Sequence, residues 1–172
     1  MFNCYYNDYL IKDTTDPIFY SLLRVEWRLF CTFTYNRYFF INNDINEEEM
    51  VKIIPKKFFN SLRSYFRLKN KEFEFYCIHE KDSLLKTHIH FLVSKKCSEH
   101  INYFEFISFA VSRWNSLNGN FNTQKDIQLV NEATKKELVR YVSKRDFCPK
   151  QGIQDLDYYL SDGLKRRLIR TL

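Results

Sequence analysis

Glycine is scarce in this chain, with three among 172 residues. A Gly-x-x-x-x-Gly-Lys-Ser/Thr loop, whose backbone amides would cradle nucleotide phosphates, is missing, and with so few glycines there could hardly be one. Cysteine is no better placed for structural chemistry: Cys4, Cys31, Cys77, Cys97 and Cys148 are odd in number and contain no close pair. That argues against a zinc ribbon or a disulfide framework and fits a reducing cytosol. No apolar run approaches the length needed to cross a bilayer. The N-terminus, Met1-Phe2-Asn3-Cys4-Tyr5-Tyr6-Asn7-Asp8, lacks the basic start and apolar stretch of a secretory signal. Internal repeats and low-complexity linkers are absent as well. The expectation is a soluble, cytoplasmic protein.

What the chain does have is apolar and aromatic mass, 45% hydrophobic and 18% aromatic, which argues against disorder. Its length suits one domain, residues 1–172, able to bury its own core. A net charge of +6 and a pI near 9.0 favour a polyanionic partner. Nucleic acid is the first expectation and an anionic membrane surface the second.

The most informative stretch is Thr87-His88-Ile89-His90-Phe91-Leu92-Val93, an apolar run that reads as a strand. Strand side chains alternate, so His88 and His90 share one face while Ile89, Phe91 and Val93 take the other. Two imidazoles on one face can hold a metal ion if a third ligand lies nearby. The preceding apolar segment, Phe73 to Glu80, is joined to this one by the polar connection Lys81 to Lys86, which predicts a β-hairpin. Its end offers two candidates, His79 and Glu80. Phe73, Phe75, Cys77 and His79 form the more apolar set and should face the core. Parity then puts Glu80 beside His88 and His90 and favours it over His79.

A second pattern lies in Lys136-Glu137-Leu138-Val139-Arg140-Tyr141-Val142-Ser143-Lys144-Arg145, which has helical periodicity through Leu138, Val139 and Val142. Glu137, Tyr141 and Lys144 form a polar stripe at i, i+4 and i+7. A phenol with a pKa of about 10 is a poor nucleophile at neutral pH unless a cation favours its phenolate. Glu137 is read as a solvated residue and left out of the site, and His100 as a surface histidine.

Coarsely, the chain reads as a strand over 24–35, an acidic loop from Asn42 to Glu49 and a helix from Pro55 to Leu68 with Pro55 in its first turn. The hairpin of 72–80 and 87–94 follows. Next comes a helix over Ser98 to Leu117 with Ser98 as cap, closed by Asn118-Gly119-Asn120. A strand over Lys125 to Val130 leads to the tyrosine helix, which starts near Ala133. The order β-α-β-β-α-β is that of a ferredoxin-like, RRM-like α+β fold, an antiparallel sheet with helices on one face and the other face open. The core spans about 24–147, with a C-terminal helical extension over about 153–172.

In order and spacing the two patterns resemble the HUH endonuclease superfamily, in particular the small single-tyrosine initiators of rolling-circle replication of plasmids and single-stranded DNA viruses. Phe30-Cys31-Thr32-Phe33-Thr34-Tyr35 resembles the family's first motif, Thr87 to Val93 its His-hydrophobic-His motif, and Tyr141-Val142-Ser143-Lys144 its Tyr-x-x-Lys motif. The first of these is degenerate; the second and third carry the resemblance. It implies His88 and His90 as metal ligands with Glu80 as the third, Tyr141 as nucleophile and Lys144 as its electrostatic helper. The implied reaction is metal-assisted nicking and joining of single-stranded or hairpin DNA at a replication origin through a 5′-phosphotyrosine. Two imidazoles and a carboxylate suit Mn2+ or Mg2+ and also bind zinc, cobalt or nickel. A separate helicase and polymerase are expected partners, since no nucleotide-binding loop is present.

Basic residues from Lys135 to Lys150, Arg140 and Arg145 among them, and Lys165, Arg166, Arg167 and Arg170 are candidates for phosphate contacts. Lys56, Lys57, Arg63 and Arg67 read better as a solvated helix face. Two rival functions share the same residues. HUH transposases typically carry a glutamine ligand one turn after the tyrosine, where this chain has Arg145, and Lys144 favours an initiator. A noncatalytic RRM-like nucleic-acid-binding module would instead stack bases on the aromatics of Phe30 to Tyr35.

Overall fold

The computed structural model describes residues 17–81, 87–120, 123–143, 159–161 and 164. In chain order the elements are α1 (Pro17–Leu23), β1 (Trp27–Thr34), α2 (Arg37–Asn42), α3 (Glu47–Leu68), β2 (Phe75–Lys81), β3 (Thr87–Ser94), α4 (Lys95–Ser98), α5 (Tyr103–Leu117), β4 (Lys125–Leu129), α6 (Glu132–Val142) and β5 (Tyr159–Leu160). The strands form one sheet in the order β4-β1-β3-β2-β5, every pair antiparallel. The expected α+β architecture, with its β-α-β-β-α-β core and a following tyrosine helix, is present.

Strand parity sorts the side chains as the alternation predicts. Leu29, Cys31 and Phe33 of β1, Phe75 and Cys77 of β2, and Ile89, Phe91 and Val93 of β3 are buried on one face against Phe58, Phe59, Leu62, Phe66, Phe106 and Trp114 from α3 and α5. The aromatic rings there meet mostly edge to face, as Phe33 does with Phe91 at 5.3 Å and with Trp114 at 5.4 Å. Such geometry sets a ring's positive edge against its neighbour's negative face. The Trp114 indole donates to the Thr34 carbonyl at 3.0 Å, so its buried N–H is satisfied.

The second face is not open along its whole length. Phe19 and Leu22 of α1 and Val139 and Val142 of α6 pack there with Trp27, Phe30, Tyr76, Leu92 and Leu164 in a separate buried cluster. The stripe left accessible is the one where the apolar alternation lapses: Thr32, Thr34, His88 and Glu80 are half-buried, and Asp126 and Gln128 of β4 are exposed. A polar strip gains nothing from being covered by a helix, and among the described residues no helix covers it.

Several boundaries differ from those read off the sequence. Helix α3 starts at Glu47, so Glu47–Glu49 belong to it and Pro55 lies inside it. An internal proline costs roughly 3 kcal/mol. Met50, Ile54, Phe58 and Phe59, buried on both sides of it, offset that cost by anchoring the helix to the sheet. Ser98 caps no long helix; its hydroxyl donates to the Ser94 carbonyl at 2.7 Å within the short α4. The cap of α5 is Asn102, whose side chain accepts from the Glu105 amide at 3.1 Å. Tyr159–Leu160 pair with Tyr76 and Cys77 as an edge strand, inside the stretch expected to be a C-terminal helix. Helices α1 and α2 had no counterpart in the sequence reading.

Candidate metal and tyrosine site

The register of the β2–β3 hairpin sets Glu80 directly across from His88, with His90 two residues further along β3 on the same face. Glu80 Oε2 lies 3.0 Å from His90 Nε2 and 3.7 Å from His88 Nε2. One ligand atom from each of the three residues falls within 4.8 Å of the others. His79 projects to the opposite side, where its Nε2 is hydrogen bonded to the Tyr35 hydroxyl at 2.8 Å in the core. Of the two candidates beside the histidines, Glu80 is therefore the one on their face.

Helix α6 brings Tyr141 to the same point. Asn131 caps it by accepting from the Thr134 amide at 2.9 Å, Val139 and Val142 bury its apolar side, and the Tyr76 hydroxyl donates to the Val142 carbonyl at 3.3 Å. Held in this way, Tyr141 donates its phenol proton to Glu80 Oε2 at 2.8 Å and sits 3.2 Å from His90 Nε2. Its ring stands edge-on to the His90 imidazole, with centroids 5.0 Å apart. Glu80, His88, His90 and Tyr141 thus converge from three elements.

Electrostatics follow from this clustering. Burial alone would push the Glu80 carboxyl up, but hydrogen bonds with His88, His90 and Tyr141 outweigh it and hold the group well below the usual carboxylate range. Burial pushes His90 down, and the hydrogen bond to Glu80 only partly opposes this, so the neutral imidazole is favoured. An ionised carboxylate beside neutral imidazoles is the protonation state a divalent cation requires. Two imidazole nitrogens and one carboxylate oxygen at this spacing fit such an ion and leave coordination positions for substrate.

Sequence reasoning gave no role to two neighbours on β1. The Thr32 hydroxyl is 2.9 Å from His90 Nδ1, and the Phe30 ring lies parallel to the His90 imidazole at 5.4 Å. Both belong to the degenerate first motif, and the signal that could have found them is the pairing of Thr32 with His90 across β1 and β3. Phe30, Phe33 and Tyr35 are all buried, so the base-stacking surface required by the RRM-like binding module is not there. Glu137 and His100 are exposed, and Lys56, Lys57, Arg63 and Arg67 are exposed on α3, across the sheet from the site. Arg140 is half-buried on α6 next to Tyr141. Lys144, Arg145, Lys165, Arg166, Arg167 and Arg170 lie outside the described residues.

An antiparallel sheet presenting a His-x-His strand, a carboxylate across the hairpin and a helical tyrosine defines the Rep class of the HUH superfamily. The chain belongs to the family of the replication-associated protein ORF2, whose model matches residues 28–146. Among solved structures, the catalytic domain of the adeno-associated virus type 5 Rep protein is similar in fold, with a TM-score of 0.50 at 12% identity, covering 85% of this chain and 97% of that one. No curated protein sequence matches the chain.

Proposed function

We propose that this protein initiates rolling-circle replication as a metal-dependent endonuclease that nicks and rejoins single-stranded DNA at an origin, with Tyr141 as nucleophile. The observation that carries this reading is the phenol of Tyr141 within hydrogen-bond distance of both Glu80 and His90. A nucleophile held beside a cation-binding trio is what in-line attack on a phosphodiester needs.

Glu80, His88 and His90 would hold the ion, Mn2+ or Mg2+ by ligand type, which when bound supplies Lewis-acid polarisation of a non-bridging phosphate oxygen. Tyr141 Oη forms the new bond to phosphorus as the bond from phosphorus to the 3′ oxygen breaks. The 5′ side of the nick stays on the tyrosine and the 3′ side leaves as a hydroxyl able to prime synthesis. Attack by a 3′-hydroxyl on the phosphotyrosine reverses the step and joins strands. Glu80, held low, is a weak base toward a phenol of pKa about 10, so its hydrogen bond orients Tyr141 rather than deprotonating it. Charge on the phenolate falls to Lys144. Arg140, Arg145, Lys165, Arg166, Arg167 and Arg170 would contact phosphates of the strand. Unwinding and synthesis are assigned to a separate helicase and polymerase in the host cytoplasm.

The test is incubation with labelled hairpin DNA and Mn2+, followed by denaturing electrophoresis. A protein-linked product is expected from the unaltered chain and none from Tyr141→Phe, which should still bind the DNA. Adducts persisting in Tyr141→Phe would remove the assigned nucleophile.

A further inference from the structure

The imidazole of His90 is hydrogen bonded at both ends, and the two ends make incompatible demands. Nε2 lies 3.0 Å from the Glu80 carboxylate, an acceptor, so in this geometry Nε2 carries the proton and Nδ1 is the bare nitrogen. Nδ1 must then receive a proton from the Thr32 hydroxyl, 2.9 Å away. Binding a cation reverses this, because Nε2 can ligate only with its lone pair and the ring proton must sit on Nδ1. His90 is buried, so a nitrogen left without a partner in either state would carry a desolvation cost. A hydroxyl serves both states, since rotation about its C–O bond turns it from donor to acceptor. A backbone carbonyl or a carboxylate in its place could only accept. The ring plane is already fixed by Phe30, parallel at 5.4 Å and an interplanar angle of 9°.

We propose that Thr32 is a positioning residue that lets His90 exchange tautomers on metal loading, donating to Nδ1 in the empty site and accepting from Nδ1–H when Nε2 ligates. The Nε2 proton is released to water as the ion binds and Nδ1 takes one up, so the ring stays neutral throughout. This inference rests on the assignment of Glu80, His88 and His90 as ligands.

The chain has four histidines, which keeps the ring-nitrogen spectrum assignable. Nitrogen-15 spectra of the full chain, empty and loaded with diamagnetic Zn2+, read the tautomer of His90 directly, and calorimetry reads zinc affinity. The expected result is Nε2–H in the empty protein and Nδ1–H in the loaded one. Thr32→Val should weaken zinc binding by about 10–100-fold, and Thr32→Ser should restore it. A merely structural role would lower the unfolding midpoint of empty Thr32→Val without changing the affinity of the folded protein, and that pattern overturns the inference. So does an unchanged His90 tautomer in the unaltered chain, a result that needs no variant to fold. Failure of the unaltered chain to bind zinc at all would instead overturn the ligand assignment itself.

Discussion

His79 and His90 are both buried histidines on one hairpin, yet they sit on opposite faces and do different work. His79 shares a hydrogen bond with Tyr35 in the core. His79→Ala should therefore destabilise the fold by about 1–3 kcal/mol, read by denaturant unfolding, with metal affinity of the folded fraction unchanged. His90→Ala should do the opposite in kind, removing a ligand and one face of the phenol's environment. Calorimetric metal binding and adduct formation should both fall below detection. A His90→Ala protein that still bound Mn2+ with unaltered affinity would separate the trio from the chemistry. Chelation by EDTA should likewise stop adduct formation by the unaltered chain, and added Mn2+ should restore it.

Turns and helix ends hold these residues in place. Gly119 closes α5 with φ of +74°, and a Cβ added there would come within 2.3 Å of the Phe39 ring. Gly119→Ala combines backbone strain with that clash, so a loss of more than about 1 kcal/mol is expected, visible as a lowered thermal midpoint. At the tyrosine helix the relevant residue is Asn131, whose side chain satisfies the Thr134 amide. Asn131→Ala should cost about 1 kcal/mol of stability. The hairpin and the tyrosine helix were legible because their periodicities are local: alternation set Glu80 with His88 and His90, and the 3.6-residue pattern set Tyr141 on a helix. Pro55 misled for the same reason. A proline is a strong local signal for a helix start, and only packing of Met50 and Ile54 against the sheet carries α3 through it.

For the whole molecule, charge and layering decide how a polyanion would approach. Helices α3 and α5 cover one face, while α1 and α6 close part of the other and leave a polar strip at the tyrosine. Among the described residues no helix is long and apolar enough to cross a membrane. If Lys165, Arg166, Arg167 and Arg170 contact the strand, replacing all four with glutamine should lower the salt slope of single-stranded DNA affinity by up to about 3. Fluorescence anisotropy across a salt series measures this, and an unchanged slope would return the four residues to solvent.

The amino-acid order alone determined the elements whose signals are local: the paired imidazoles on one strand face, the carboxylate that parity set beside them, and the helical stripe carrying the phenol. Only the tertiary structure decided what Thr32 and Phe30 touch and what covers the second face. Thr32 meets His90 from 58 positions away through a β1–β3 pairing that no local pattern encodes. Likewise α1 finds its place only once α6 and the sheet offer an apolar surface, because a helix of seven residues has too little stability of its own to announce itself.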